Sequence, residues 1–239
     1  MKSKIQEYKK AEMNVCKNLI LGLSASICIL SCSPTQSTAA TEPARATENS
    51  AVRSNNSGLP VAHGMDFFKN YMDESYANLE KAVKGLTPEQ LAFKPSEDKW
   101  SIAQCLEHIV LTEPLLFDYE KSAMNEPAAP GKRSEIKLTD DQVMTMMLDR
   151  SHKAQAPQEA IPTGKYTDYR TALNDLQAQR KLILKDVENY TIDDLRNHVT
   201  DGPMGPVDAY QFLLFIPGHT MRHTLQIQEV KADPNFPKN

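Results

Sequence analysis

Gln211-Phe-Leu-Leu-Phe-Ile-Pro-Gly-His-Thr-Met-Arg-His-Thr-Leu-Gln-Ile-Gln-Glu-Val230 has the apolar periodicity of a long helix. His219 and His223 lie four residues apart, so on a helix their imidazoles face the same side, one turn apart. Phe212 and Ile227 fall on this face as well. The pattern therefore places two histidines within a stripe that otherwise indicates buried core.

Two interpretations of the pair stay open at this point. A buried imidazole is costly unless its nitrogens have partners, and a metal ion would bind two nitrogens presented four residues apart. The alternative is one hydrogen-bonded core histidine beside a half-exposed one. A metal site would need a third ligand from elsewhere in the chain.

His108 is the candidate for that third ligand. Ser101-Ile-Ala-Gln104 has the form of a capping box, which predicts that a second long helix begins there and continues to about residue 123. His108 falls beside the apolar stripe of that helix, near Cys105. Alone it would be a satisfied core histidine, but together with His219 and His223 it indicates a three-histidine site.

The other helical segments predict an all-α fold. Apolar residues recur with helical period over 65–85 and 167–190, and Thr-initiated segments at 87–90, 139–147 and 191–195 predict short extra helices. No segment alternates apolar and polar residues as a sheet strand would. Four long helices with one long connection, 125–165, predict a four-helix bundle with a crossover connection, in a domain spanning 61–239.

Residues 1–32 have the pattern of a bacterial export signal, with lysines before a short apolar run that is too short to span a membrane. The run ends in Ile29-Leu30-Ser31-Cys32, which resembles the lipobox of bacterial lipoproteins and implies lipidation at Cys32. An ordinary signal peptide cut near residues 39–40, or a retained signal anchor, are the alternatives, and Met13 is a second candidate start. The low-complexity segment 33–60 predicts a flexible linker.

These features predict an exported lipoprotein of the bacterial cell envelope, held at the membrane through its lipid alone. Removing residues 1–32 takes away five lysines and two glutamates, and the remaining 22 basic and 29 acidic residues give a net charge of −7. This acidic balance, without a basic patch, argues against nucleic-acid binding. Cys105 is then the single remaining thiol, so no internal disulfide is expected and Cys105 is interpreted as a small core residue.

Two motifs carry a family resemblance: Lys99-Trp-Ser-Ile-Ala-Gln-Cys-Leu-Glu-His108 and His219-Thr-Met-Arg-His-Thr-Leu-Gln226. In this order they resemble the DinB-like superfamily of small metal-binding four-helix bundles, in which Trp-Ser opens the second helix and His-x3-His lies on the last one. The resemblance implies that His108, His219 and His223 bind one divalent ion, with Zn²⁺ or Ni²⁺ as the leading candidates. It also implies a possible homodimer, as related bundles often pair.

Several neighbouring residues have candidate roles. Gln226, one turn beyond His223, is expected to position a ligand or a substrate group. Arg222 is interpreted either as a surface ion-pair residue or as an anchor for an anionic substrate.

Glu107 and Glu113 are expected to face solvent or to form ion pairs between helices. Pro217 lies inside the last helix, where proline costs about 3 kcal/mol, and predicts a kink or a break before His219.

The resemblance implies a metal-dependent enzyme acting on a small molecule, whose substrate the sequence does not identify. Members of the superfamily include thiol-dependent transferases, isomerases and hydrolases. The thiol cofactors of the transferases are cytoplasmic, so export favours metal-assisted hydrolysis over thiol transfer. The alternative is a non-catalytic envelope lipoprotein that binds a metal or a ligand.

Overall fold

A computed structural model describes residues 62–151 and 155–238. Within them the regular elements, in chain order, are α1 (Met65–Val83), α2 (Pro88–Ala92), α3 (Ile102–Met124), α4 (Asp140–Leu148), α5 (Tyr169–Val187), α6 (Ile192–Asn197), β1 (Val199–Gly202), β2 (Gly205–Asp208) and α7 (Ala209–Lys231). Two short 3-10 turns, Pro130–Glu135 and Gln158–Ala160, lie between α3 and α5. The predicted signal sequence, Cys32 and the linker lie outside the described residues. So does His152, which like His63 and His198 falls outside both sequence motifs and is predicted to be a surface or loop residue.

The four long helices α1, α3, α5 and α7 form the bundle that the sequence predicts, which confirms the all-α fold. Helix α7 packs against α1, α3 and α4, while α5 packs mainly against α3. Every residue of α7 from Ala209 to Thr220 is buried, so this half of the helix forms the centre of the domain. None of the helices in the described part of the chain is both long and apolar enough to cross a membrane.

Side-chain caps set where several helices begin. Ser101 and Gln104 form the predicted capping box at the start of α3, with each side chain hydrogen-bonded to the other residue's backbone N–H. Thr139 caps α4 and Thr191 caps α6 in the same reciprocal way. The start of α3 fixes the rotational position of His108, which lies two turns farther along the same helix.

Residues 199–208 correct one prediction. The sequence shows no alternating strand pattern here and predicts a turn at 200–206 before the last helix. The structure instead forms a two-stranded antiparallel hairpin, in which Val199 pairs with Asp208 and Gly202 with Gly205. Each strand has four residues and the hairpin contains two prolines, so no alternating pattern reveals it. A Cβ atom at Gly202 would lie 2.7 Å from the Val207 side chain, which accounts for a glycine at this position.

Of the two outcomes predicted at Pro217, a kink or a break, the break does not occur. A single helix, α7, passes through Pro217 and Gly218 without interruption. The residue after the proline also permits a close helix contact, because a Cβ atom at Gly218 would lie 3.2 Å from Met147 Cβ. Gly218 thereby allows the end of α4 to approach α7 beside His219.

A buried polar network joins all four long helices. The Arg180 guanidinium on α5 donates to both carboxylate oxygens of Glu113 on α3, with Nε–O distances of 3.1 and 3.0 Å. It also donates to Ser75 Oγ on α1 at 3.0 Å and to Thr220 Oγ1 on α7 at 3.0 Å. Thr220 in turn donates to Glu113 at 2.6 Å. Glu113 therefore forms the interhelical ion pair that its sequence position suggested.

A second buried network holds the other end of the bundle. Arg196 on α6 donates to Asp140 at the start of α4 and to Asp208 at the start of α7. Its guanidinium also lies 4.1 Å from the ring centroid of Tyr210. This network fixes α4 relative to α7, and the far end of α4 lies next to the histidines.

Disruption of the Arg180 network is expected to destabilise the protein strongly. Glu113→Ala leaves a buried guanidinium without its carboxylate and should lower the free energy of unfolding by about 3–5 kcal/mol in urea titrations. Asp118→Ala, which breaks the exposed pair with Lys121, should cost less than about 1 kcal/mol. The double variant Glu113→Leu/Arg180→Met should cost less than the sum of the single changes, and strict additivity would contradict the coupling.

Glu120 on α3 is buried without a described hydrogen-bond partner for either carboxylate oxygen. Burial, with a smaller contribution from the charge of Asp186, raises its pKa to about 8, against a weaker opposing effect of Lys121. The native state therefore holds the Glu120 proton at pH values where the unfolded chain has lost it.

This difference predicts a pH dependence of stability. Because the folded-state pKa is raised, the contribution of Glu120 to stability is fully present below about pH 4.3 and is lost as the pH rises toward 8. Glu120→Gln should therefore become increasingly more stable than the wild type between pH 5 and pH 8. Urea unfolding across this range measures the difference, with the exposed Glu188→Gln as control. A constant difference between Glu120→Gln and the wild type would contradict the raised pKa.

Candidate metal centre

The structure brings His108, His219 and His223 together. His108 comes from α3, and the other two come from successive turns of α7. Their ring centroids are 4.9 Å apart for His108 and His219, 4.5 Å for His108 and His223, and 4.4 Å for His219 and His223. Each offers a nitrogen, and these nitrogens all lie within 4.8 Å of one another. We call these three side chains the histidine cluster.

The cluster is buried. The exposed fractions are 4% for His108, 9% for His219 and 7% for His223. Trp100, the single tryptophan of the chain, is half-buried and covers one side, with its ring centroid 4.7 Å from that of His108 and 6.1 Å from that of His223. The Trp-Ser motif thus supplies both an aromatic wall of the site and, through Ser101, the cap of α3.

A backbone carbonyl defines the hydrogen-bonding state of His108. Its Nδ1 lies 2.7 Å from the carbonyl oxygen of Ala160, in the 3-10 turn before α5. A carbonyl only accepts, so Nδ1 carries the proton, and in a neutral ring Nε2 has a free lone pair. Thr112, one turn farther along α3, lies at the weaker distances of 3.4 and 3.5 Å from the two ring nitrogens.

Gln226 defines the state of His223 in a similar way. The Gln226 Oε1 atom lies 2.9 Å from His223 Nδ1 and accepts a hydrogen bond from its N–H. Arg150 donates to the same oxygen at 3.4 Å and binds Glu229 through two further hydrogen bonds of 2.7 Å. Because the guanidinium can only donate, it favours the orientation of the Gln226 amide that presents oxygen to His223.

His219 is the member without a second partner. Its Nε2 lies 3.1 Å from Nε2 of His108, while its buried Nδ1 has no hydrogen-bond partner among the described residues. If Nε2 carries the proton, Nδ1 is an unsatisfied acceptor; if Nδ1 carries it, two lone pairs face each other at 3.1 Å. Either state of the isolated cluster is unfavourable.

The electrostatic environment keeps all three imidazoles neutral. Burial lowers the pKa of His108, which outweighs the opposite effect of the Ala160 carbonyl. Burial also holds the pKa of His219 and of His223 well below the ordinary value, and neighbouring histidines and the Arg222 guanidinium lower them further. Neutral imidazoles retain the lone pairs that metal coordination requires.

The residues present fit a divalent ion. Two nitrogens that each lie about 2.0–2.1 Å from one Zn²⁺ ion are roughly 3 Å apart, close to the 3.1 Å between His108 and His219 Nε2. The ion would accept both facing lone pairs and so remove the repulsion between them. The protonated Nδ1 atoms of His108 and His223 already have the outer acceptors typical of metal-bound histidines.

Arg222 lies beside the histidine cluster, but its guanidinium binds backbone carbonyls at the end of α4. Its guanidinium donates to the backbone carbonyls of Met147 and Asp149, at the C-terminal end of α4. Burial and the charge of Arg150 lower its pKa. Arg222 thus fastens α4 to α7, and it contributes positive potential to His219 and His223.

The other residues considered from sequence lie apart from the cluster. Cys105 is fully buried in the core, and burial raises its thiol pKa to about 12, so it is a packing residue. His63 pairs with Asp141 and stacks on Phe67, and His198 bonds the carbonyl of Asp194.

Glu107 corrects a prediction, because its carboxylate neither faces solvent nor forms an ion pair with another helix. It is 2% exposed and binds the backbone at 163–165. Ala160 and Arg150 were also missed from sequence. An alanine carries no side-chain signal, and Arg150 lies in a connection whose path the helical periodicity does not define.

Comparison with known proteins gives three similarities. The profile described as the DinB superfamily matches residues 71–227. An uncharacterized protein of Bacillus subtilis (strain 168), YuaE, is 24% identical over 149 residues, which covers 62% of this chain and 88% of YuaE. A solved structure, described as "YfiT from Bacillus subtilis is a probable metal-dependent hydrolase with an unusual four-helix bundle topology", has a TM-score of 0.49 and 16% identity, and the match covers 72% of this chain and 88% of that one.

Proposed function

This chain belongs to the DinB superfamily, and from that premise we propose that it is a metal-dependent enzyme that uses His108, His219 and His223 to hold one divalent ion. The observation that carries the proposal is the pair of facing Nε2 atoms, 3.1 Å apart in a buried site, with a third imidazole beside them. Without a cation, either two lone pairs face each other or the buried His219 Nδ1 lacks a donor, whereas a cation would bind both Nε2 lone pairs while Nδ1 keeps the proton.

The side chains around the cluster have distinct tasks. The Ala160 carbonyl and Gln226 hold protons on the outer nitrogens of His108 and His223, which directs the inner lone pairs toward a common point. Trp100 limits access of water from one side. A bound Zn²⁺ or Ni²⁺ ion would supply Lewis acidity, which polarises a substrate oxygen or lowers the pKa of a water molecule.

Three histidine ligands leave room for a water molecule or a substrate, the arrangement typical of catalytic rather than structural zinc sites. We favour hydrolysis of a small molecule over thiol transfer. This preference depends on export of the chain, since low-molecular-weight thiol cofactors belong to the cytoplasm.

The low exposure of the ligands supports a second candidate, a binding protein that holds its ion without turnover. With at most 9% of each histidine exposed, the site offers a substrate little direct access in this conformation. The two candidates differ in whether the ion retains an exchangeable position. A Co²⁺-loaded protein whose visible spectrum changes on addition of a small anionic inhibitor has such a position.

Metal binding is tested by the metal content of purified protein. We expect about one tightly bound Zn²⁺ or Ni²⁺ ion per chain, lost in both His108→Ala and His223→Ala because the two helices share one site. His198→Ala, outside the histidine cluster, should retain the ion. Trp100 fluorescence should report titration of the metal-free protein with Ni²⁺, because the indole lies against two of the ligands. Wild-type protein that takes up neither metal would refute the proposal.

We extend the proposal to location, on the evidence of residues 1–32 alone. The chain is exported, lipidated at Cys32 and held at the membrane of the cell envelope through that lipid. Wild-type protein expressed in bacteria should incorporate a labelled fatty acid and sediment with membranes. Cys32→Ser should not incorporate the label, whereas Cys105→Ser should behave like the wild type. Fatty-acid labelling that persists in Cys32→Ser would contradict lipidation at this residue.

A further inference from the structure

Glu107 directly precedes a cluster histidine on α3 and receives four hydrogen bonds from one short segment of the α4–α5 connection. Its Oε1 accepts from the backbone N–H and the hydroxyl of Thr163, both at 2.7 Å. Its Oε2 accepts from the N–H groups of Gly164 at 2.8 Å and Lys165 at 2.9 Å. Three consecutive backbone N–H groups thus converge on one buried carboxylate.

The backbone of this segment is shaped for that contact. Gly164 has a φ of +92°, in the left-handed region that side-chain-bearing residues rarely adopt. The turn at Gly164 directs its own N–H and that of Lys165 to the same carboxylate oxygen. We call residues 160–165 the anchor loop.

The anchor loop contacts two successive residues of α3 with opposite polarity. It donates to Glu107 through Thr163, Gly164 and Lys165, and it accepts from His108 Nδ1 through the carbonyl of Ala160, at 2.7 Å. Only two residues separate Ala160 from Thr163. The position of the Ala160 carbonyl therefore depends on the contact between Glu107 and the loop.

We propose that Glu107 is a positioning residue for the histidine cluster: by anchoring residues 163–165, it holds the Ala160 carbonyl on His108 Nδ1 and fixes the tautomer that presents Nε2 to the metal. The consequence for metal affinity rests on the proposed function. The effect on the tautomer does not, because it concerns the metal-free protein.

The structure supplies an internal comparison at His223. Its Nδ1 donates to Gln226, which lies three residues away on the same helix and has no hydrogen bond to the anchor loop among the described residues. Loss of the Glu107 contact should therefore change the protonation pattern of His108 and leave that of His223 intact. A general loss of structure would alter both rings.

The test is Glu107→Gln in the full chain, with the exposed Glu159→Gln in the same connection as matched control. The amide keeps the size of the side chain and one acceptor oxygen, but it turns an N–H₂ group toward two donors of the loop, so half of the loop contact is replaced by opposed donors. Long-range ¹H–¹⁵N spectra of the imidazoles in the metal-free protein should show His108 protonated at Nδ1 in wild type and control. In Glu107→Gln we expect a mixture of tautomers at His108 and an unchanged His223.

Zn²⁺ affinity, measured by competition with a chelator, should fall by about 10–100-fold in Glu107→Gln and stay at the wild-type value in Glu159→Gln. Gly164→Ala is the second variant, because it strains the anchor loop without changing α3, and it should give the same selective spectral change even if Glu107→Gln folds poorly.

The two readouts separate the proposals. A His108 tautomer that is unchanged in both variants would overturn the positioning role, as would equal disturbance of His108 and His223. A selective change at His108 in a protein that binds no metal would support the positioning role and refute the proposed function.

Discussion

The contact on which the histidine cluster most depends is the ion pair between Glu113 and Arg180 at the centre of the bundle. Glu113 lies five residues beyond His108 on α3, and Thr220, which donates to Glu113, directly follows His219 on α7. The network therefore fixes the register of the two helices that carry the histidines, within about one turn of the site. A slip of either helix would break several buried hydrogen bonds at once, each of which would be costly to leave unpaired.

The value of such a network lies in specificity as much as in stability. A buried ion pair gains little over well-packed apolar side chains, since both charges lose their water. Four apolar helices could pack in several registers, whereas Arg180 finds its acceptors on α1 and α3 and a hydroxyl on α7 in only one arrangement. The Arg196 network acts in the same way on α4, whose other end is held by Arg222.

Helical periodicity and capping residues were sufficient to predict the bundle, because each long helix has one apolar face and a local start signal. They also brought His108, His219 and His223 into one hypothesis, and the fold places these three side chains together.

The parts of the site that sequence did not reveal come from the connection between α3 and α5. The Ala160 carbonyl has no residue-type signal, and the partners of Glu107 are backbone N–H groups 56 to 58 residues away. Contacts of backbone atoms across long sequence separations leave no periodic trace. The hairpin at 199–208 was missed for another reason, because its four-residue strands are too short to show alternation.

The charges around the histidine cluster also limit which ions suit it. The ligands are three neutral nitrogens, and the charges that act on His223 include the guanidinium groups of Arg222 and Arg150, which lower its pKa. Mg²⁺ and Ca²⁺ require several oxygen ligands, usually carboxylates, and nothing in the cluster supplies these. Zn²⁺ and Ni²⁺ accept imidazole nitrogens, so the strength of the metal–nitrogen bonds can offset the unfavourable positive potential.

Glu229 reduces that positive potential by pairing with Arg150. Gln226 and the Ala160 carbonyl direct the negative ends of their dipoles at the protonated ring nitrogens. The site is therefore arranged to present lone pairs rather than negative charge, and this favours borderline transition metals over hard cations.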